Sequence, residues 1–445
     1  MGVATVLSGP TPAIAEQSLK DALRLAFETN PTIQAERARQ RATSEARAQA
    51  WAAALPQITG TASYSEVDTE STFAQPVNPS DPQIPFPTSA QFSPLTAQAD
   101  GSLVVFNGLR NVNTIRQARS RVKAGGAQLA ATEQDVLLRT ATAFFDVSRD
   151  SEVYAVNLNN LKVLSRQREE AALRFKVGDV TRTDVAQSEA RLAGARAEVA
   201  ASQAALAISR AGLAELTGET PQTLEDDPAK PDTPDNLNAA QSLARAYAPG
   251  VIAAKANEIA SRRGIALAKG AFSPEVSLTS QYQYSEDTNA FTTQDEQFSY
   301  GVRATVPIFL GGLNISRVRE ARALNDADRR RVLEAERRAE AAVTAAWEQW
   351  MAAKATIASA TAAVDANELA LKGVRREAEL GARTTLDVLN AEQELLGSTV
   401  SLANAERDAR VAAFSILSSA GLLTIDAASG DARLEDAENV VRETR

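Results

Sequence analysis

The sequence predicts an α+β membrane protein: a transmembrane β-barrel completed by oligomerisation, joined to a long α-helical coiled-coil barrel with a small equatorial domain. Three observations carry that expectation. The chain is written twice, its helices run in heptads far longer than a globule needs, and short strands with one apolar and one polar face lie between them.

The duplication is read from constant offsets. Phe175 to Val185 recurs as Glu379 to Val388, with Gly178 falling on Gly381 and Asp184 on Asp387, both at 203. Phe106-Asn-Gly108-Leu109 matches Phe309-Leu-Gly-Gly312-Leu313, with Gly108 on Gly312 at 204. Upstream, Pro31, Pro56 and Tyr64 match Pro249, Pro274 and Tyr282, each at 218. The offset therefore drops by 14 between Tyr64 and Gly108, which places an insertion in the first copy at residues 68–95. Six prolines there (76, 79, 82, 85, 87 and 94) predict an irregular loop.

Each copy orders its elements alike. The first, residues 16–217, reads as a helix over 21–54, strands at 55–67 and 96–106, a long helix over 108–175 and a shorter one over 184–217. The second, residues 239–421, reads as a helix over 239–270, strands at 272–285 and 298–309, a long helix over 312–378 and a shorter one over 387–421. Val122, Leu129, Val136 and Ala143 recur every seventh residue, as do Leu389, Leu396 and Ala403, the spacing of close-packed coiled-coil helices. At ~1.5 Å per residue each long helix reaches about 100 Å. The shorter helices are near half that length, so the linker at 218–238 falls midway along, and the segment 422–445 is expected to meet it in an equatorial collar.

The strands separate a membrane protein from a soluble helical bundle. Val276, Leu278, Ser280, Tyr282 and Tyr284 alternate with Glu275, Ser277, Thr279, Gln281 and Gln283. Phe298, Tyr300, Val302, Ala304, Val306 and Ile308 alternate with Ser299, Gly301, Arg303 and Thr305. Ile58, Gly60, Ala62 and Tyr64 do so in the first copy, while the strand at 96–106 alternates less cleanly. Period two with one greasy face is the pattern of lipid-facing and lumen-facing positions. Twelve of the 22 aromatic residues fall in 55–106 and 272–309, as interfacial girdles require.

Composition excludes other classes. A net charge of −9 and the absence of a basic face argue against nucleic acid as a partner. There is no Cys and no His, which removes disulfides, thiolate or imidazole metal sites and the commonest general base. No catalytic constellation, metal site or cofactor motif is visible, so the chain reads as no enzyme. No run of 18 apolar residues occurs, a fact that bears on helices and not on barrels. Ala13-Ile-Ala15 before Glu16 has the form of a signal-peptide end, so residues 1–15 are read as a remnant of one.

Four strands cannot close a barrel in lipid, where unpaired edges cost several kcal/mol per group, roughly. Two, three or four copies would supply 8, 12 or 16 strands, and the pattern alone does not choose.

The turns Val177-Gly-Asp-Val-Thr-Arg-Thr-Asp-Val185 and Leu380-Gly-Ala-Arg-Thr-Thr-Leu-Asp-Val388 resemble the paired turns of the TolC-like outer-membrane efflux and secretion family. Val306-Pro-Ile-Phe-Leu-Gly-Gly312 is similar to that family's strand-to-helix junction, and Thr142-Ala-Phe-Phe-Asp146 to a segment of its first long helix. The resemblance runs over roughly 17–422. It implies a homotrimer with a 12-stranded barrel in outer-membrane lipid and a helical tunnel in the periplasm of a Gram-negative cell. It also implies a passive duct for secreted proteins or small molecules. The partners implied are a periplasmic adaptor and an inner-membrane ABC or proton-driven transporter. The competing reading is a non-transporting periplasmic coiled-coil adaptor.

By the same resemblance the far turns form a gate. Arg383 is its latch, with Thr183 and Asp184 of a neighbouring helix pair as partners, because a guanidinium can bridge a carboxylate and a second acceptor. Asp387, taken as one helical turn beyond Arg383, and Asn390 would line the constriction. The family often carries Asp where Asn390 stands and Tyr where Ala378 stands, which implies a less acidic, more weakly latched aperture. Gly178, Asp179, Val180, Gly381 and Ala382 would dock the adaptor, the glycines serving first as left-handed backbone positions.

Overall fold

The computed structural model describes residues 17–75, 84–221, 223–225, 228, 230–289 and 292–429. The possible signal remnant at 1–15, Pro76, Pro79 and Pro82 of the insertion, and the tail beyond 429 lie outside the described residues. The chain divides into two compact units.

The helices come in pairs of equal length. α1 (Leu19–Thr29) and α2 (Pro31–Ala52) match α5 (Leu237–Tyr247) and α6 (Pro249–Gly270): 11 and 22 residues in each copy, 218 apart. α3 (Arg110–Lys176) and α4 (Arg182–Thr217) match α7 (Leu313–Glu379) and α8 (Thr385–Ala420): 67 and 36 residues in each copy, 203 apart.

Two helices expected to be continuous, over 21–54 and 239–270, are each broken, and the cause is proline. Pro31 and Pro249 start α2 and α6, where a missing N–H costs nothing, and push the preceding residue out of the helical region. Asn30 and Ala248 accordingly sit at ψ of 124° and 125°. Asn30 is buried and its Nδ2 donates to the Leu216 carbonyl at 3.0 Å, so the break ties α1 to the end of α4.

In the first unit (1–40, 123–255 and 331–445) the core gathers on the middle of α3. Leu137, Ala141, Phe144, Phe145 and Val147 pack with Leu19 and Leu23 of α1, Leu206 and Leu213 of α4, and Phe414 and Leu417 of α8. Leu224 of the linker and Leu423, Ile425 and Ala428 of the C-terminal segment join that cluster. Gln17 and Leu224 make a parallel bridge, with Gln17 N–H donating to the Thr223 carbonyl at 3.0 Å. The linker and the C-terminal segment, which includes α9 (Ile425–Ala428), thus share one apolar centre.

The second unit (41–122 and 256–330) holds the strands. β1 (Gln57–Tyr64), β4 (Leu95–Phe106), β5 (Glu275–Asn289) and β6 (Thr292–Thr305) form one antiparallel sheet in the order β1-β4-β5-β6. Its register sorts the side chains. Gly60, Ala99, Tyr282 and Phe298 form one cross-strand row, and Ile58, Gly101, Ser280 and Tyr300 the next. Thr59, Asp100, Gln281 and Ser299 face the other way, and so do Thr61, Gln98, Gln283 and Gln297. β4 conforms over its first part, with Leu95, Ala97, Ala99, Gly101 and Leu103 on the apolar face, and the less clean alternation at its end is a register shift between Val104 and Phe106. The apolar side chains lie open in the single chain: Tyr300 is 83% exposed and Val302 69%.

Over its described residues the insertion is paired rather than irregular. β2 (Val67–Gln75) and β3 (Ile84–Phe92) pair antiparallel from Val67↔Phe92 to Gln75↔Ile84, a two-stranded ribbon separate from the main sheet. Its prolines permit this because Pro85 and Pro87 are two residues apart, so both missing N–H sites point to the same side of β3. On the side away from β2 they remove no ladder bond.

Gly421 tests the collar. Its φ is +80°, and a Cβ added there would lie 2.3 Å from the Tyr247 carbonyl oxygen, whereas Gly218 has φ +82° with open space around it. Gly218→Ala should cost about 1–2 kcal/mol, the left-handed strain alone. Gly421→Ala should cost clearly more, because the α5 backbone must move as well. Thermal unfolding of the two variants side by side checks the order.

Candidate functional site

The two long-helix hairpins turn in the same way. Gly178 and Gly381 end α3 and α7 at φ of 81° and 76°. In the first turn the Gly178 N–H donates to the Phe175 carbonyl at 3.1 Å and the Asp179 N–H to the Arg174 carbonyl at 2.9 Å. In the second, Gly381 donates to Ala378 at 3.0 Å and Ala382 to Glu377 at 2.9 Å. A capping box then starts each returning helix. The Asp184 carboxylate accepts from the N–H and hydroxyl of Thr181, both at 2.8 Å, while the Thr181 oxygen accepts from the Asp184 N–H. Asp387 does the same with Thr384 at 2.9 and 2.8 Å. Asp184 and Asp387 are therefore helix starters first, and their Oδ2 atoms are committed to that role.

Charge across the turns is reversed between the copies. In the first, Arg174 on α3 pairs with Asp179 at 3.3 Å. In the second, Glu377 stands at the arginine's place and pairs with Arg383 at 2.8 Å. Both members of the second pair are about half exposed, so solvent screens it and an isolated pair of this kind contributes little to stability. Its hydrogen bond to Glu377, then the charges of Glu377 and Asp387, raise the Arg383 guanidinium further above its ordinary range. Hydrogen bonds from Thr384, backbone and then side chain, hold the Asp387 carboxyl below its ordinary value, and Arg383 adds to the effect.

The expected latch is thus not formed inside one chain, where Arg383 is engaged by Glu377 and Thr183 is exposed on the first turn of α4. Nor does Arg383 lie on the same helix face as Asp387. It precedes the N-cap Thr384, so the helical spacing rule does not reach it. The two hairpins do meet. Leu161 and Leu164 of α3, Leu192 and Ala195 of α4 and Leu389 of α8 form one cluster, and Arg191 donates to Asn390 at 2.9 Å. A cleft of about 260 Å³ opens between the turns, lined by Glu170, Arg174 and Val180 on one side and Ala378, Arg383 and Val388 on the other. Gly178, Asp179, Gly381 and Ala382 are exposed at the tips.

One member of the site escaped the sequence reading. Glu392 on α8 is 6% exposed and accepts from Arg375 of α7 at 2.8 Å and from Gln167 of α3, joining three helices just behind the turns. A signal existed, since Glu189 is its counterpart 203 residues earlier. That residue pairs with Arg168 at the surface instead.

Among the described residues no cluster could hold a metal ion and no helix is long and apolar enough to cross a membrane. What the chain offers a membrane is the sheet, with its open apolar face and polar reverse.

A sheet with one apolar face in a chain of duplicated helical hairpins is the pattern of an outer-membrane channel protein, and the chain belongs to the outer membrane efflux protein family, whose model matches residues 22–219 and 240–422. It is 30% identical to the outer membrane efflux protein BepC of Brucella suis over 95% of this chain and 89% of that protein. It is 26% identical to the outer membrane protein TolC of Vibrio cholerae over 91% of each. Its fold is similar to that of the Campylobacter jejuni CmeC outer membrane channel, with a TM-score of 0.78 at 16% identity over 96% of this chain and 89% of that one. The protein is accordingly a channel of the Gram-negative outer membrane reaching into the periplasm, of the class that serves efflux and secretion, and not an enzyme. The reading as a non-transporting coiled-coil adaptor is set aside.

The caps give a pH prediction. Because the folded Asp387 carboxyl titrates below its unfolded value, its stabilisation of the α8 start is complete above the ordinary carboxylate range. It is lost progressively below that range and is gone once pH has fallen through the lowered value. Amide exchange at the first turn of α8 should therefore stay protected down to the ordinary carboxylate range and fray progressively below it. Thr384→Ala should bring roughly 1 kcal/mol of the same fraying at neutral pH.

Proposed function

We propose that three copies of this chain close a 12-stranded barrel and a helical tunnel through which cargo passes passively. The duct is driven by an inner-membrane ABC or proton-driven transporter and joined to it by a periplasmic adaptor that docks at the exposed turns around Gly178–Val180 and Gly381–Ala382. The sheet is the observation that carries this reading. It has one apolar face and two unpaired edges, β1 and β6, and in lipid such edges must find partners. Family membership supports the trimer and the two classes of partner. Light scattering in detergent should give three times the 47.2 kDa chain mass. A folded monodisperse monomer would overturn the reading.

In that assembly the turns form the closed end. Arg383 exchanges between Glu377 of its own turn and Thr183 and Asp184 of a neighbouring helix pair, and Asp387 with Asn390 borders the aperture. The free Oδ1 of each capping carboxylate remains able to accept from such a neighbour. Arg383→Glu sets a carboxylate against both Glu377 and Asp184. Planar-bilayer conductance of folded trimers should rise above that of the unmodified protein. Asp387→Ala should instead lower cation preference. Unchanged conductance in Arg383→Glu trimers would rule out this latch.

A further inference from the structure

The internal repeat specifies how two chains join, residue by residue. Within each copy the strand hairpin has one register. Gln57↔Ser102 in β1–β4 becomes Glu275↔Thr305 in β5–β6 when the first strand is moved by 218 and the second by 203. The same two shifts superpose the helices before and after the strands. They also carry the left-handed pair Gly108-Leu109 onto Gly311-Gly312, both at 203. Gly108 therefore corresponds to Gly311, one residue from the match that the letters alone suggest. A third register exists only once in the chain: β4 of the first copy against β5 of the second, where Ser102 faces Thr279, Gly101 faces Ser280 and Ala99 faces Tyr282. Its counterpart must join β6 to a β1, and the chain's own β1 lies at the opposite edge of the sheet.

Resting on the trimer reading above, we infer that β6 of one copy pairs antiparallel with β1 of a second copy in the register Val302↔Tyr64, Ala304↔Ala62, Thr305↔Thr61 and Val306↔Gly60. The bulge between Val104 and Phe106 of β4 is repeated beyond Pro307, leaving Ile308 unpaired and setting Phe309 against Ile58, as Phe106 is set against Val276.

Side-chain chemistry agrees. The pairing extends the apolar rows onto the second copy and sets Arg303 opposite Ser63 on the polar face. A slip of one residue would put every apolar side chain against the polar face. Exposure agrees as well. Phe309 is 85% and Ile58 79% exposed in the single chain, against 44% for Phe106, the counterpart of Phe309 that already has its partner strand. The helix junction behaves in the same way. A Cβ on Gly108 would strike Gly270 and Ser273, while Gly311 has open space. The shifted equivalents of Gly270 and Ser273 are Ala52 and Leu55, residues at the β1 edge, and Leu55 is 57% exposed.

The absence of cysteine makes the test clean, since introduced thiols are the only ones present. Two in-register double variants are made, Ala304→Cys with Ala62→Cys and Thr305→Cys with Thr61→Cys. Adjacent antiparallel pairs alternate between the wide and the close type, so both geometries are sampled. Two shifted controls combine Ala304→Cys with Gly60→Cys and with Tyr64→Cys, which sets the Cα atoms about 7 Å apart or more, beyond disulfide reach. An intrachain bond is excluded because β4 and β5 separate the two strands by roughly 14 Å. All variants are first checked as trimers by light scattering in reductant. Mild oxidation should then yield a covalent trimer in denaturing gels from the in-register pairs and monomer from the controls. Covalent trimer from a shifted pair, or none from either in-register pair in intact trimers, overturns the register and leaves the assembly standing. An unmodified protein that is no trimer overturns the assembly, and the register with it.

Discussion

Backbone polar groups that enter lipid must be paired, and the architecture follows from that requirement more than from any side chain. An isolated four-stranded sheet meets it everywhere except along β1 and β6. Each exposed group there would cost several kcal/mol in hydrocarbon, roughly, far more than the exposed ion pairs at the turns contribute. A chain under this constraint has to present two edges that complement each other across copies. Duplication gives that complementarity directly, because an edge that matches within the chain, β4 with β5, already specifies the edge that matches between chains. The equal helix lengths are a further mark of the same duplication.

Function enters where the two copies differ. The turn N–H groups donate to the helix carbonyls at distances equal to within 0.1 Å in the two copies, yet the ion pair across the turn has the opposite polarity, Arg174 with Asp179 against Glu377 with Arg383 one position further on. Glu189 and Glu392 occupy one position on α4 and α8, the first exposed with Arg168 and the second buried beneath Arg375 and Gln167. Geometry is thus held by the capping boxes and glycines, which the copies share, and the electrostatic character of each turn is free to vary upon it. An apparatus that must be regular in shape and unequal in chemistry is well served by that division.

Most of the fold was legible because its signals are periodic. Heptads gave the helices, alternation gave the sheet, and constant offsets gave the order. Single residues with two meanings were harder. Pro31 and Pro249 served as markers of the repeat and yet break the helices they begin, because proline is a good first residue of a new helix as well as a poor interior one. Pro85 and Pro87 argued for a loop, but two prolines at period two can share the outer side of a ribbon strand. The site was legible in its positions and not in its pairings. Spacing rules find partners along one helix, whereas Arg383 and Glu377 meet across a turn, and Glu392 is found by two residues on other helices. Nothing local distinguishes Glu392 from Glu189. What separates them is burial, a property of the packed hairpins.

The contrast between Arg383 and Glu392 also bears on how a duct can open without coming apart. Arg383 and Glu377 are each about half exposed, so exchanging one partner for another moves little free energy and is cheap to reverse. Glu392 is different in kind. Its carboxylate is almost wholly buried, and stripping a buried ion of its partner is strongly unfavourable because the charge that remains cannot return to water. Arg375 can reach solvent, so the penalty falls mainly on the glutamate, whose Oε1 takes both the Arg375 and the Gln167 contact and so links α3, α7 and α8. In the proposed gate the movable contacts therefore lie at the tips and the immovable one lies just behind them.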